Sequence, residues 1–324
     1  MLPNVMFRRR AAEIPKRWPN VMRGLWAVGW LVSLIGFTNF AVQLITEALH
    51  TGGVAYDAQS YLLAGRHVLE GASLYAPVNI GDPGAFRYTP TFAVLMAPFA
   101  LLPEMAFTWG YRLICLLCVR YLVGSWRAVG WSLLFPPLGI ELLALNLTLP
   151  IAALARLALR PPHRGAAWQP IAGSLKYGSL LLVPYLWLRR PATRPALMLG
   201  VVALLVVTAV HVLLDPGVWR DFMGAMRQQS ASVNTAPYVG SQLLKLVPST
   251  LGDFALRFAL AAVLTGLAVT RRWDWLAFAA ATLAVPTLWV ARLAPLVAVP
   301  RLWWEDQPTV LAEEPMGMRV AEHA

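Results

Sequence analysis

The chain has 324 residues, of which 58% are hydrophobic and only 13% charged, with a mean hydropathy of +0.58; soluble domains carry about a quarter charged residues. The apolar runs are long and unbroken rather than alternating, which excludes a soluble enzyme and a barrel and leaves an all-α, polytopic integral membrane protein, because backbone groups in lipid must be satisfied internally. The net charge of +11 is no nucleic-acid signature, since Lys and Arg gather in the short stretches between apolar runs, as cytoplasmic loops do.

Residues 1–23 form a basic leader with Arg8, Arg9, Arg10, Lys16, Arg17 and Arg23, followed by an apolar run from Leu25 to Ile45. This bias predicts a cytoplasmic N-terminus, and the leader and run are too long for a cleaved signal peptide, so they read as an uncleaved anchor helix. The next stretch, residues 47–88, then faces outward. In it Asp57 precedes Ala58–Glu70, where Tyr61, Leu62, Ala64 and Leu69 recur at helical spacing and Gly71 closes the helix. Two readings of Asp57 stand side by side: an N-cap for that helix, or a carboxylate for chemistry just outside the bilayer. Tyr75, Arg87 and Tyr88 also fit interfacial anchoring.

The run from Thr89 to Pro103 is short and broken by Pro98, as a partial or re-entrant segment would be. Met105–Gly124 is a better span, and its Cys115 and Cys118 read as packing residues rather than a redox or metal pair. Trp131–Leu159 looks like two apolar arms meeting at a polar bend near Glu141 and Asn146. Glu141 is either a functional group at membrane depth or a helix-end carboxylate near headgroups. The run Ala166–Leu188 is basic on both flanks, with Arg160, His163 and Arg164 before it and Arg189, Arg190 and Arg194 after it. A single crossing cannot put both ends on one side, so the pattern predicts a broken hairpin with Lys176 near its tip. Lys176 either points into a cavity or snorkels to an interface.

Ala196–Leu214 is a span, and the polar stretch at 215–253 after it carries Trp219, Arg227, Gln242 and Lys245. It forms a second outward loop on the side of Asp57, unless Trp219–Arg227 lies flat at the interface. Phe254–Thr270 returns to Arg271 and Arg272. In Trp275–Val299, a continuous helix would leave Arg292 deep in lipid at a cost of a few kcal/mol or more. A turn near Pro286 is therefore expected to lift Trp289 and Arg292 toward the outer surface. The remainder divides as an embedded domain over residues 24–301, with about eight to ten membrane segments by length, and a solvated tail over 302–324 that carries Glu305, Asp306, Glu313 and Glu314.

No P-loop, G-x-G-x-x-G, H-E-x-x-H, paired Cys/His cluster or Asp-x-Asp pair occurs, which argues against ATP-driven transport and against a nucleotide-sugar donor. The order Tyr56-Asp57, Tyr61, Gly71, Leu74-Tyr75, Arg87-Tyr88-Thr89-Pro90, Pro98 and Leu101-Leu102-Pro103 resembles the first outer loop of glycosyltransferase family 87. These are integral-membrane enzymes of the GT-C class, typified by polyprenol-phosphate-mannose-dependent alpha-mannosyltransferases. The resemblance continues more loosely from about Arg23 to Arg301. The Asn of the family's Gly-Gln-x-Asn bend falls on Asn146, with Leu143, Ala144 and Leu145 before it, and its hairpin Lys falls on Lys176. Its Asn-Gln-Ser-Leu stretch is echoed by Ser241-Gln242-Leu243-Leu244, and its late Pro-x-x-Trp by Pro286 to Trp289, where Ala291 and Arg292 hold the positions of the family's His residues.

This resemblance implies a GT-C-like bundle with broken helices and two outward-facing loops. It implies transfer of a mannose-like hexose from a polyprenyl-phosphate-sugar donor to a lipid-linked or cell-envelope glycan at the outer face of the plasma membrane. Asp57 would be the catalytic base, and Arg292, Lys176, Arg227 and Lys245 the partners of the donor phosphate. Tyr56, Tyr61, Arg87, Tyr88, Asn146, Gln242 and Trp289 would contact substrate. No metal and no cofactor other than the donor is implied, because Lys and Arg alone can stabilise a leaving phosphate. Two alternatives stay open: a catalytically inactive relative that acts as an assembly partner, and a lipid or glycan transporter.

Overall fold

The computed structural model describes residues 19–51, 55–75, 86–232, 250–284 and 290–307. Among the described residues the chain is helical, with no strand. Helix α1 (Pro19–Thr51) extends beyond the Leu25–Ile45 run at both ends. It crosses the short α5 (Trp126–Ser132) at small residues: Gly36 lies against the Gly130 carbonyl, and Ser33 fills the space a side chain at Gly130 would need. Such residues let backbones approach closely where lipid supplies no hydrophobic drive between helices. Trp131 Nε1 locks the crossing by donating to the Gly29 carbonyl at 2.6 Å.

Helix α2 (Tyr56–Glu70) ends as expected at Gly71, whose left-handed backbone (φ 66°) turns its N–H onto the His67 and Val68 carbonyls. The Thr89–Pro103 run is broken, giving α3 (Pro90–Met96) and one 3-10 turn (Phe99–Leu101), both packed on α2. Helix α4 (Glu104–Val123) buries Phe107, Arg112, Cys115, Val119 and Leu122, a stripe at helical spacing that faces the core. Its cysteines are unbridged.

The two arms expected around the polar bend are α6 (Pro136–Ala144) and α7 (Thr148–Leu159), which meet at 112°. Leu145 terminates α6 in the left-handed region (φ 57°), and its N–H reaches the Glu141 carbonyl at 2.8 Å. Helix α7 is the centre of the bundle, with Leu149, Ala152, Ala155, Ala158 and Leu159 all buried. The basic-flanked run is broken at Lys176 into α8 (Gln169–Leu175), a 3-10 turn (Tyr177–Leu181) and α9 (Leu182–Arg189). Both its ends lie at the far end of α7: Gly165 packs against Leu157 and Ala158, and Arg190 reaches Asp274, itself bound to Arg160.

The chain continues through α10 (Arg194–Leu214), α11 (Pro216–Ser232), α12 (Thr250–Arg271) and α13 (Asp274–Leu283). A 3-10 segment (Val290–Ala298) and α14 (Val299–Glu305) follow. Trp275–Val299 is thus split, and the turn expected near Pro286 lies outside the described residues. Among the described residues, three helices are long and apolar enough to cross a membrane: Gly24–Thr46, Glu104–Val123 and Pro191–Leu214, with the bent α6–α7 pair as a fourth. Elsewhere among the described residues, proline and polar breaks cut apolar runs into helices such as α3, α8 and α9, each of 7 to 8 residues.

One expectation is corrected outright. Residues 302–306 are not a solvated tail: Leu302 is 0% exposed, and the Asp306 side chain only 5%. Arg156 holds Glu305 at 2.8 Å, and Arg160 holds Asp306 at 3.0 Å and Asp274 at 3.5 Å. Arg190 pairs with Asp274 at 3.1 Å and Arg301 with Glu305 at 2.9 Å. Arginines of α7, α14 and the α9 terminus thus capture carboxylates that local composition alone assigns to solvent. Glu313 and Glu314 lie outside the described residues.

Candidate functional site

Asp57 is the second residue of α2, and Ala55 occupies the capping position with a left-handed backbone (φ 100°) and no side-chain cap bond. The N-cap reading is therefore corrected. The Asp57 carboxylate leaves its own helix and accepts a hydrogen bond from Asn146 Nδ2 at 2.6 Å, while Ser60 Oγ donates to the Asp57 carbonyl at 2.7 Å. The α2 N-terminus still lends partial positive charge to the anion.

Asn146 is placed by the α6–α7 bend and is the hub of the site. Its Oδ1 accepts from Arg292 at 2.9 Å, and the same guanidinium nitrogen donates to Thr148 Oγ1 at 3.0 Å. Its backbone carbonyl accepts from the Tyr111 hydroxyl at 3.2 Å. Tyr88 stands on the other side, sharing a 3.0 Å hydrogen bond with Tyr61 and reaching Asn146 Oδ1 at 3.4 Å. The Tyr88 backbone is held in turn by the Tyr75 hydroxyl at 2.6 Å. Tyr61 is buried and packs edge-on against Tyr88, Phe92 and Tyr111, an aromatic cluster beside the half-buried carboxylate.

Electrostatics follow from this enclosure. Burial pushes the Asp57 carboxyl above its ordinary value, against the opposing pull of the Asn146 hydrogen bond and the charges of Arg292 and Arg87. Burial also raises the Tyr88 phenol to about 12, with Arg292 acting against it, so Tyr88 is a neutral donor at physiological pH. Glu141, one turn before the bend, is 1% exposed with Oε1 lacking a hydrogen-bond partner. It is an interior group of the bundle.

Beyond Arg292 opens a narrow cleft of about 50 Å³ lined by Lys176, Thr148, Ser179 and Thr282, with apolar walls from α7, α9 and α13 such as Ile151, Leu182 and Phe278. Lys176 Nζ also lies 5.7 Å from the centre of the Tyr88 ring, at the tip of the broken hairpin. Lys176 thus lines a cavity, as one of its two readings expects. Arg292 turns toward Asn146 and lies within electrostatic range of Asp57.

Of the residues expected at the site, the structure gathers Asp57, Tyr61, Tyr88, Asn146, Lys176 and Arg292, with Arg87 within electrostatic range of Asp57. Tyr56 is 40% exposed beside Asp57. Arg227 is exposed on α11, and Lys245, Gln242 and Trp289 lie outside the described residues. The two polar stretches at 47–88 and 215–253 do meet, since Phe222 of α11 packs on Tyr75 with ring centres 5.6 Å apart. Sequence reasoning missed Thr148 and Tyr111. A hydroxyl two positions after Asn146 in an apolar arm was a signal for Thr148; Tyr111, one aromatic in a long apolar helix, carried none. Among the described residues no three His, Cys, Asp or Glu side chains gather as metal ligands would.

The arrangement offers a half-buried proton acceptor joined through one amide to a guanidinium, beside a cleft that is apolar in its walls and cationic at its mouth. Comparisons with protein-family models, with curated proteins and with solved structures found no match.

Proposed function

We propose that the chain is a membrane glycosyltransferase of GT-C type that moves a hexose from a polyprenyl-phosphate-sugar to a lipid-linked or envelope glycan. The observation that carries this reading is the Asp57–Asn146–Arg292 chain, with its 2.6 Å and 2.9 Å hydrogen bonds. It sets a carboxylate and a phosphate-binding cation on the two sides of one amide. A lipid-phosphate donor needs an apolar groove for its tail and fixed cations for a phosphate whose charge grows as the sugar leaves. The cleft that Lys176 and Arg292 share has both. The acceptor hydroxyl then needs a base, and a carboxylate whose pKa is raised by burial is a stronger base than an ordinary one.

In this mechanism Arg292 and Lys176 bind the donor phosphate, Asn146 holds Asp57 oriented, and Asp57 takes the acceptor proton as the hydroxyl attacks the anomeric carbon. The phosphate departs onto the two cations. The test is sugar transfer from labelled polyprenyl-phosphate-sugars in membranes that hold wild type or Asp57→Asn at equal level. Loss of a positioned general base lowers rates about 10²- to 10⁴-fold, so transfer in the variant is expected to fall by at least a hundredfold. Equal transfer by both proteins removes Asp57 from the chemistry. In the same assay Lys176→Gln is expected to raise the donor KM, as loss of a phosphate contact does.

A further inference from the structure

At the other end of α7, opposite the site, the arginines outnumber the carboxylates. Arg189 and Arg190 close α9, Pro191 follows, and Arg272 follows α12; with Tyr185 and Leu188 they line a concavity of about 340 Å³. Three arginines therefore line one hollow whose lining includes no carboxylate. The nearest acid, Asp274, is 1% exposed and already engaged behind the hollow. It accepts from Tyr185 at 2.6 Å and from Arg190 at 3.1 and 3.3 Å, and pairs with Arg160 at 3.5 Å. Asp274 fixes the orientation of Arg190 without covering Arg189 or Arg272, and Arg190 Nε is itself buried without a hydrogen-bond partner.

Two further features give the hollow its chemistry. Arg272 ends α12 in the left-handed region (φ 62°), where Gly is the residue that meets no steric cost and another residue loses about 1–2 kcal/mol. That turn keeps a cation at the rim. Of the lining, Leu188 is 57% exposed, and the chain neighbours of Leu188 and Arg272, Trp187 and Trp273, are 38% and 36% exposed. Arg194 lies over Trp187 at 5.5 Å and Arg271 over Trp273 at 6.0 Å. Exposed Trp beside Arg is the pattern of the level where acyl chains give way to headgroups. A ligand entering here meets apolar surface along its tail and guanidinium forks at its head, and those forks match phosphate oxygens two at a time.

We propose that this hollow binds the phosphate of an anionic membrane lipid, at a site separate from the donor cleft. The two share no lining residue: the cleft runs along α7 from Thr148 to Ala155 and touches α9 at Leu182, whereas the hollow begins one turn further along α9 at Tyr185. The inference does not depend on the glycosyltransferase reading.

The experiment uses the full-length protein purified in neutral detergent, with bound lipid counted by native mass spectrometry and thermal midpoints read in parallel. Phosphatidylglycerol, phosphatidylcholine and inorganic phosphate are added separately to wild type and to the double variant Arg189→Gln/Arg272→Gln. Neither residue belongs to the ion-pair network around Asp274, and an unchanged midpoint in phosphatidylcholine checks the variant's fold. Wild type is expected to retain phosphatidylglycerol and melt higher with it, while the double variant retains it on the order of thirtyfold more weakly, given the attraction of each basic residue for an anionic surface. Arg120→Gln/Arg127→Gln, which removes the same charge elsewhere, is expected to bind as wild type does. Equal retention by wild type and the hollow variant overturns the proposal, as does equal loss from the Arg120/Arg127 control. Protection by inorganic phosphate that phosphatidylglycerol does not exceed overturns the lipid assignment.

Discussion

Asp57 and Asn146 show how much one amide can do. Asn146 donates to the carboxylate and accepts from Arg292, so it holds both groups and moderates the rise that burial imposes on Asp57. Asn146→Ala removes an interaction that lowers the Asp57 pKa. The acid limb of the kcat/KM profile, expected above the ordinary carboxylate value of about 4, should therefore move to still higher pH in that variant. An acid limb that stays in place would show that another group titrates. The same shift has a sign for stability. Folding raises the Asp57 pKa, so its contribution is full below the unfolded value and is lost as pH rises through the folded value. Wild type should lose thermal stability relative to Asp57→Asn over that interval, and a constant difference between the two across pH would contradict it.

The elements that carry these residues are short, and their breaks are what matter. The α6–α7 bend presents Asn146 and the break between α8 and α9 presents Lys176, each a polar side chain where the α-helical ladder of backbone bonds is interrupted, while Arg292 comes from within the 3-10 segment. Such breaks are tolerated at membrane depth where they face a protein cavity. The long α1 is different, since it stands at the periphery and is held by close approach of small residues. Gly130→Leu would drive a side chain into Ser33 and the α1 backbone. Overpacking of this kind costs about 1–3 kcal/mol, read as a lowered melting midpoint with the Asp57 site otherwise intact. An unchanged midpoint would mean that α1 packs elsewhere.

Over the whole molecule, two polar centres lie at opposite ends of α7. One is the site; the other is the network of Arg156, Arg160, Arg190 and Arg301 with Asp274, Glu305 and Asp306. Within it Arg160 Nε lies 3.0 Å from Glu305 but is not aligned to donate, so proximity there exceeds hydrogen-bond quality. The network ties α14 to α7 and α13 and closes the bundle. Asp274→Asn would leave Arg190 short of a counter-charge, while Arg160 keeps Glu305 and Asp306, and would weaken the acceptor for Tyr185. Because Arg190 is 37% exposed, the expected loss falls below the range for a fully buried pair, at about 1–3 kcal/mol. Chemical denaturation in detergent reads that loss directly, and a variant as stable as wild type would reduce the network to surface charge.

Membrane character, the helical class, the break at Lys176, the polar bend near Asn146 and the interest of Asp57 were all legible from the chain alone. Each rests on local chemistry: apolar run length, a basic residue or proline inside such a run, a carboxylate beside it. Tertiary structure decided the rest. It turned Asp57 from a helix cap into a partner of Asn146, brought Arg292 to the same amide and drew Glu305 and Asp306 out of a supposed tail. It also made Thr148 and Tyr111 part of the site. The physical reason is common to all of these: a charge or hydroxyl at membrane depth is stable only with a partner, and that partner comes from a helix distant in sequence, so its identity is set by packing and not by spacing.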